Sequence, residues 1–156
     1  MASFTLAATS ADDVGGIICS FDSRWQNAIH DGRIKAIFRK KRLAKTPPQW
    51  LYVYVGSPVS SITARVPIES VEVMALQDAL EIAEEGDISP EELSKYAGAA
   101  TELFVFKVGA VQVAKVPLGS DKLRADYRFF PSPNFIRLSE SGAKTIDRLA
   151  KFKKKE

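Results

Sequence analysis

The sequence predicts an α+β fold, a small β-barrel flanked by short helices, on three observations. Short runs with a period of two alternate with helical segments, but without the regular strand–helix–strand repeat of a parallel sheet. The 156 residues suffice for one domain, which would bury roughly 70% of the surface its unfolded chain exposes. No internal repeat or linker marks a second unit. We therefore predict one domain over residues 14–142, between a flexible arm at 1–13 and a basic tail at 143–156.

The first third of the chain predicts two strands around a short helix. Residues 15–21 form an apolar run, and Asp22 or Ser23 can cap the helix that follows. Gly32 ends this helix in the left-handed position. Residues 33–39 then alternate with a period of two, which gives one cationic face. That face carries Arg33, Lys35, Ile37 and Arg39.

Two more strands, joined by a turn at residues 56–58, follow a basic loop. In residues 50–55, Leu51, Val53 and Val55 face the core, and the opposite face is aromatic. The aromatic face consists of Trp50, Tyr52 and Tyr54. Residues 62–68 alternate again and predict the next strand.

The second half of the domain begins with an acidic helix predicted within residues 73–86. Ser89-Pro-Glu-Glu92 is a capping box that opens a short helix through Tyr96. Residues 103–108 and 110–116 predict two strands. Residues 129–138 are rich in proline and aromatic residues and predict an ordered closing loop or edge strand.

The composition predicts a cytoplasmic, soluble protein. Cys19 is the only cysteine, so no internal disulfide can form, and its isoleucine neighbours indicate a buried thiol in a reducing compartment. No apolar run approaches the ~20 residues that a membrane-spanning helix needs, and the first 13 residues do not resemble a signal peptide. We therefore expect no membrane association.

Charge is segregated along the chain, although the net charge is only +3. Residues 33–45 carry seven cations and no acid, residues 69–102 are acidic, and residues 144–155 form a second basic run. Basic segments of this kind attract polyanions, and they also occur as ordinary solvated surface. The acidic helix at residues 76–85 is in turn a candidate docking surface for a basic protein partner.

Familiar catalytic patterns are absent from the sequence. His30 is the only histidine, which excludes a histidine-rich metal site and leaves a serine hydrolase triad without a nucleophile-elbow motif. Neither glycine-rich phosphate-binding motif occurs. The carboxylates Glu81, Glu84 and Glu85 are better explained as the solvent face of a helix than as metal ligands. We predict no metal site and no cofactor.

Cationic and aromatic side chains on adjoining strands are the main functional signal. Arg39 and Lys35 project from one strand, and Tyr52 and Tyr54 follow the basic loop. Phosphates need cations, and unpaired bases need flat apolar faces for stacking. These residues predict a nucleic-acid-binding groove; the alternative is that the two tyrosines cover hydrophobic surface beneath a helix.

Several segments resemble the ASCH domain of the PUA-like superfamily. They are Gly32 before the strand that ends in Phe38-Arg39-Lys40-Lys41, then Tyr52-Val-Tyr-Val-Gly-Ser-Pro-Val59, and Phe130-Pro-Ser-Pro-Asn-Phe-Ile-Arg-Leu-Ser139. The resemblance spans roughly residues 15–140. It implies a PUA-like β-barrel with a cleft that binds RNA or modified nucleosides; some members are amidohydrolases acting on acetylcytidine, and one is linked to RNA cleavage.

The sequence departs from the family strand pattern Gly-x-Lys-x-x-Glu-x-Arg, in which threonine replaces glutamate in the amidohydrolases. Ile34 stands at the lysine position and Ile37 at the glutamate position, while Gly32 and Arg39 match. Isoleucine can neither transfer a proton nor attack a carbonyl. Binding therefore remains the leading function.

We accordingly predict a module that binds RNA, single-stranded or structured, or a nucleotide. The predicted contacts are Lys35, Arg39, Lys40, Lys41 and Arg42 to phosphates, Tyr52 or Tyr54 to bases, and Ser57, Asn134 and Arg137 by hydrogen bonds. Two alternatives stay open: a metal-assisted ribonuclease, and a nucleoside amidohydrolase with a rearranged site in which a bulge or shifted register re-aims Lys35.

Overall fold

The computed structural model describes residues 6–8, 14–40, 48–128 and 135–154 as an α+β fold built on one eight-stranded sheet. The strands are β1 (Gly16–Phe21), β2 (Ala36–Arg39), β3 (Trp50–Val55), β4 (Ser61–Ala75), β5 (Glu102–Val108), β6 (Gln112–Gly119), β7 (Phe135–Leu138) and β8 (Phe152–Lys154). The helices are α1 (Gln26–His30), α2 (Leu76–Glu81), α3 (Pro90–Ala97), α4 (Ser120–Tyr127) and α5 (Glu140–Ala150). Short 3-10 turns precede α1 at Ser23–Trp25 and follow α2 at Ala83–Gly86.

The sheet is strongly curled, with the strand order β2-β5-β4-β3-β1-β7. β6 pairs with the first half of β4, and β8 pairs with β6. Phe106 of β5 and Phe135 of β7 meet across the concave side, with ring centroids 6.1 Å apart. The curl therefore encloses a hydrophobic interior.

The predicted barrel is not closed, however. Within the described residues, β2 and β7 form no pairs with each other, and each outer edge bonds to nearby chain instead. Lys35 N donates to Glu85 O (2.6 Å) beside β2, and Ala8 N donates to Arg137 O (2.9 Å) on β7. These two bonds pair main-chain groups at the edges that would otherwise be left without a partner.

Three hydrophobic clusters hold the fold together. The first lies inside the curl around Ile17, Leu51 and Phe106. The second lies on the opposite side of β1 and β3, around Tyr52, Ile62 and Ile146, and the third surrounds Phe38, Leu93 and Leu103. β1 and β3 are consequently buried on both faces.

Several elements match the sequence-based prediction. β1 begins and ends within one residue of the predicted run, and Gly32 ends α1 with a φ of +75°. The Ser89 hydroxyl accepts from Glu92 N (3.1 Å), which is the predicted cap of α3. Gly98 follows this helix with a φ of +59°.

Other elements differ from the prediction. The helix predicted within residues 73–86 begins only at Leu76, because β4 continues to Ala75 and pairs with β5 along its second half. Cross-strand pairs such as Val73 with Phe104 outweigh the weak helical spacing there. The helix α4 was not predicted.

The chain on either side of the predicted domain is also part of the fold where the structure describes it. Leu6 is buried, and its carbonyl accepts from Ser139 N (2.9 Å). Residues 143–154, predicted as a tail, form the rest of α5 and β8, with Ile146 and Ala150 fully buried. Residues 1–5 and 9–13 of the predicted arm lie outside the described residues.

Candidate nucleic-acid interface

A cleft of about 220 Å³ opens at the end of β1, where β2, the turn after α2, and α3 converge. β1 and the following 3-10 turn form one wall, and α3 forms another. The floor consists of β2 residues. The residues lining the cleft are Ser20, Phe21, Asp22, Trp25, Ile34, Ala36, Ile37, Phe38, Arg39, Gly86, Ile88, Leu93 and Tyr96.

Arg39 is the cation of this cleft. Its Nη1 donates to Phe38 O (2.8 Å), its Nη2 donates to Ser20 O (3.0 Å), and its guanidinium lies 4.9 Å from the centre of the Phe21 ring. No carboxylate of the described residues forms an ion pair with it. The half-buried guanidinium is thus held by neutral carbonyls, without an ion-pair partner among the described residues.

Two polar atoms of the cleft-lining side chains have no hydrogen-bond partner among the described residues. They are Arg39 Nε and the Tyr96 hydroxyl, and both are buried. An unpaired buried donor costs about 1–3 kcal/mol, so such atoms are rare in folded proteins and often occur at functional sites.

Aromatic side chains form much of the remaining lining. Phe21 and Trp25 stand on the β1 side, and Tyr96 stands on α3. Lys40 Nζ lies 5.0 Å from the centre of the Tyr96 ring. The cleft therefore combines flat apolar faces with two nearby cations.

The wall formed by the 3-10 turn is tied to α3 by an ion pair. Arg24 Nη1 lies 2.8 Å from Glu92 Oε2, and the guanidinium stacks 4.1 Å from the centre of the Trp25 ring. This contact raises the pKa of Arg24 and lowers the pKa of Glu92, chiefly through their hydrogen bond. Both side chains are about half exposed, so the pair positions the wall more than it stabilises the fold.

Cys19 lies behind the cleft on β1 and is fully buried. Burial raises the pKa of its thiol to about 11, and Arg39 opposes this shift. The thiol therefore stays protonated at neutral pH and acts as a small apolar side chain.

Ile34 and Ile37 stand where the ASCH strand pattern has lysine and glutamate. Ile34 and Ile37 both line the cleft. The titratable side chains among the described lining residues are Asp22, Arg39 and Tyr96. Among all the residues that the structure describes, no group of three or more His, Cys, Asp or Glu residues is placed to hold a metal ion.

The structure brings only some of the predicted site residues together. Arg39 lines the cleft and Lys40 is beside it. Lys35 is exposed one residue before β2, and its main chain bonds to both Glu85 and Val108. Lys41, Arg42 and Asn134 lie outside the described residues.

The remaining predicted residues lie elsewhere. Ser57 is exposed in the turn after β3. Arg137 is half-buried on β7, 5.3 Å from the centre of the Phe135 ring. Tyr52 and Tyr54 are 0% and 5% exposed within the second cluster, so neither presents a ring face to the solvent.

Tyr52 belongs to a polar network that holds α5 against the sheet. Its hydroxyl donates to Asp147 Oδ1 (2.7 Å), which also accepts from Arg65 Nη1 (3.0 Å). Burial, followed by the bond to Asp147, raises the pKa of Tyr52 above its usual range, so the hydroxyl remains a donor. Arg65 also stacks 3.7 Å from the centre of the Trp50 ring and donates to Gln112 Oε1 (2.8 Å).

Part of the basic segment is neutralised by acidic residues. Within that segment, Arg33 lies 3.7 Å from Asp31 and 3.6 Å from Asp87. Outside it, Lys107 Nζ of β5 lies 2.8 Å from Glu85 Oε1. The acidic segment at residues 76–85, predicted as a docking surface, is divided between α2 and the following 3-10 turn. Its Glu85 already forms an ion pair with Lys107.

Sequence reasoning missed the aromatic walls. The sequence predicts Phe21 only as the end of an apolar run and Tyr96 only as the end of a capped helix, and it assigns Trp25 no role in binding. The two walls are joined by the contact between Arg24 and Glu92, which are 68 residues apart in the sequence. The available signal was the pair of large aromatic residues beside a helix of only five residues, which is too short to bury both.

No helix in the described ranges is long and apolar enough to span a membrane. No protein-family model matches the sequence, and no curated protein matches it either.

Comparison with solved structures shows clear likenesses in fold. An alanine-for-serine variant of the ASCH protein of Zymomonas mobilis superposes with a TM-score of 0.80 at 17% identity, covering 88% of this chain and 97% of that chain. The unaltered protein gives a TM-score of 0.78 at 17% identity, over 86% and 95% of the two chains. The N-terminal domain of Staphylothermus marinus McrB is more distant, with a TM-score of 0.56 at 10% identity, over 95% and 98%.

Proposed function

We propose that this chain, whose fold is that of the ASCH domain, binds an unpaired nucleotide of RNA, or a free nucleotide, in the cleft around Arg39. The observation that supports this most is the guanidinium of Arg39, which lies among aromatic side chains, is held by main-chain carbonyls and has no ion-pair partner among the described residues. A cation held by neutral carbonyls in a partly desolvated cleft attracts an anionic ligand more strongly than an exposed lysine does.

The lining favours a flat ring as the part of the ligand that enters. Phe21, Trp25 and Tyr96 offer apolar faces, and stacking of a base on such a face contributes about 1–3 kcal/mol. A volume of about 220 Å³ lies below the roughly 300–1,000 Å³ of clefts for drug-sized ligands. The cleft therefore suits one ring and not a duplex.

Cations around the opening would hold the phosphate. In this proposal Arg39 and Lys40 contact the phosphate of the bound nucleotide, and Lys35, Lys41 and Arg42 contact its neighbours along the chain. Because Tyr52 and Tyr54 are buried, we propose that Trp25 and Tyr96 stack on the base in their place. Unpaired nucleotides of loops and ends are the parts of RNA that proteins bind in this way.

The proposal is tested by measuring how 5′-mononucleotides and the corresponding nucleosides bind, using calorimetry and tryptophan fluorescence. Replacing Trp25 by alanine removes one stacking face and should weaken binding of both ligand classes by about 5- to 150-fold. Arg39→Gln should weaken nucleotide binding much more than nucleoside binding, because only the nucleotide carries the phosphate. Arg33→Gln makes the same charge change outside the cleft and serves as the control.

Two outcomes would refute the proposal. The first is that none of the four mononucleotides, and no single-stranded RNA, binds the unaltered protein. The second is binding that neither Trp25→Ala nor Arg39→Gln weakens, in folded variants with an unchanged circular dichroism spectrum.

A further inference from the structure

Asp22 is the only acidic residue among the described residues that line the cleft. It directly follows β1 and is exposed. A carboxylate repels a phosphate, so phosphate binding alone does not explain its presence in a cleft whose cation is Arg39. The part of the ligand beside Asp22 is therefore expected to differ from the part beside Arg39.

One oxygen of this carboxylate has a structural role. Asp22 Oδ1 accepts from Arg24 N (2.9 Å) and so caps the 3-10 turn, and Asp22 O accepts from Trp25 N (3.0 Å). These two bonds hold the carboxylate in place before a ligand arrives, which lowers the entropic cost of binding. The other oxygen, Oδ2, accepts from no donor of the described residues and is available to a ligand.

No cation of the described residues forms an ion pair with Asp22. Arg24, the nearest cation along the chain, directs both terminal nitrogens to Glu92: Nη1 lies 2.8 Å from Oε2, and Nη2 donates to Oε1 (3.0 Å). Arg39 is held by carbonyls instead. The cleft thus carries separate negative and positive groups, which suit a ligand that has both a hydrogen-bond donor and an anion.

The size of the cleft indicates which donor reaches Asp22. About 220 Å³ accommodates one flat ring, so the sugar and the phosphate of a nucleotide stay at the opening. Asp22 is exposed and hence at the opening, whereas Ile34 and Ile37, which are buried, line the interior. In an RNA chain the 3′ oxygen is esterified, which leaves the 2′-hydroxyl as the donor of the sugar.

We infer that Asp22 Oδ2 accepts a hydrogen bond from the ribose 2′-hydroxyl, so that the cleft selects ribonucleotides over 2′-deoxyribonucleotides. This inference rests on the proposed function, which assigns residues to the base and the phosphate but none to the sugar. Carboxylates accept from ribose hydroxyls in dinucleotide-binding proteins, and the 2′-hydroxyl is the group by which proteins distinguish RNA from DNA. Asp22 is then a specificity-determining residue, whereas capping alone predicts no preference between the sugars.

The test measures, by calorimetry, how tightly the unaltered protein binds 5′-ribonucleotides and the 2′-deoxyribonucleotides with the same base. A hydrogen bond to a charged group is strong enough to make the ribonucleotide bind about 10-fold more tightly. Because the two ligands of each pair differ in one hydroxyl, the contributions of base stacking and phosphate contacts cancel in the ratio of their affinities.

Two substitutions of Asp22 remove the free oxygen and keep the cap. Asp22→Asn retains an amide oxygen that accepts from Arg24 N and places an amino group where Oδ2 was. A hydrogen bond to a neutral group is about half as strong, so the preference should fall to about threefold or less. Asp22→Ser has one capping oxygen and no second, so the preference should disappear. In both variants the affinity for deoxyribonucleotides should not fall.

Glu91→Gln is the matched control. Glu91 is an exposed acid in the first turn of α3, outside the cleft lining. The substitution removes the same charge from the opposite wall and should leave the preference at about 10-fold. A preference that falls equally in Glu91→Gln would overturn the inference in favour of a general effect of charge.

Three other results would also overturn it. The first is equal affinity of the unaltered protein for the two sugars. The second is a preference that Asp22→Asn and Asp22→Ser both retain, including the case in which the two ligands are weakened alike. The third is an effect of Asp22→Asn that follows the base and not the sugar, because a donor of the base would then contact Asp22. The proposed function is tested separately, since it fails only when no nucleotide binds or when the Trp25 and Arg39 variants bind normally.

Discussion

Replacing Asp147 by alanine tests how α5 is held against the sheet. Asp147 Oδ1 accepts from the Tyr52 hydroxyl (2.7 Å) and from Arg65 Nη1 (3.0 Å). The substitution leaves the hydroxyl of a 0% exposed tyrosine without its acceptor. The energetic cost should therefore arise mainly at Tyr52 and not at the surface.

The expected magnitude follows from the exposure of each partner. An unpaired buried hydroxyl costs about 1–3 kcal/mol. The ion pair adds at most about 1 kcal/mol, because the Asp147 side chain is 36% exposed and Arg65 keeps its bond to Gln112. We expect Asp147→Ala to lower the free energy of unfolding by about 2–3 kcal/mol.

A double-mutant cycle with Tyr52→Phe isolates the hydrogen bond. Tyr52→Phe alone should cost about 1 kcal/mol, because Asp147 retains Arg65 and solvent. In the Tyr52→Phe background, Asp147→Ala should then cost only about 1 kcal/mol, a coupling of about 1–2 kcal/mol. Asp126→Ala, at an exposed acid of α4, is the control and should change stability by less than about 0.5 kcal/mol.

Urea unfolding followed by circular dichroism provides the measurement. With a slope of about 2 kcal/mol per M, a loss of 2 kcal/mol moves the midpoint by about 1 M. If Asp147→Ala stays within about 0.5 kcal/mol of the unaltered protein, or if the two single costs simply add, the bond does not hold α5 as argued.

Two further predictions concern the packing of α5 and the thiol behind the cleft. Gly142→Ala should destabilise the fold, because a Cβ there would collide with the carbonyl oxygen of Leu6; a lower thermal midpoint together with faster proteolysis near residues 6–8 would support this, and an unchanged midpoint would contradict it. Burial raises the pKa of Cys19 from 9.0 to about 11, so the unfolded chain loses this proton first and stability should fall as the pH rises from 9 to 11. At pH 10 the loss should be about 1 kcal/mol relative to pH 8, and Cys19→Ala should lack this component; an identical pH slope in both proteins would refute the shift.

Local signals predicted those elements whose stabilising contacts are near in sequence. The Ser89 cap and the glycine after α1 depend on a few neighbouring residues, and both were found. The end of β4 and the structure of residues 143–154 depend on pairing with distant strands. A lysine-rich segment such as Lys151–Lys154 has no local feature that distinguishes an edge strand from a tail.

The candidate site shows the same division between local and distant information. Arg39 could be predicted because strand alternation places it on the face of β2 that also carries Lys35. That residues of both faces of β2 line the cleft could not be read from the alternation. Tyr52 and Tyr54 were expected on an open face, since the alternation in β3 shows two faces but not what covers each one. The cover is α5, which lies some 90 residues later in the chain.

The two-sided burial of β1 has a consequence for the order in which the protein folds during synthesis. β1 pairs with β3 and with β7, and the register places Gly16 opposite Leu138. Contacts across so many residues form slowly, and a growing chain exposes the early strand until its late partners emerge from the ribosome. We therefore expect the wall of the cleft formed by Ser20 and Phe21 to become ordered only after β7 has been synthesised, so that a nascent chain has the cationic segment long before it has the binding site.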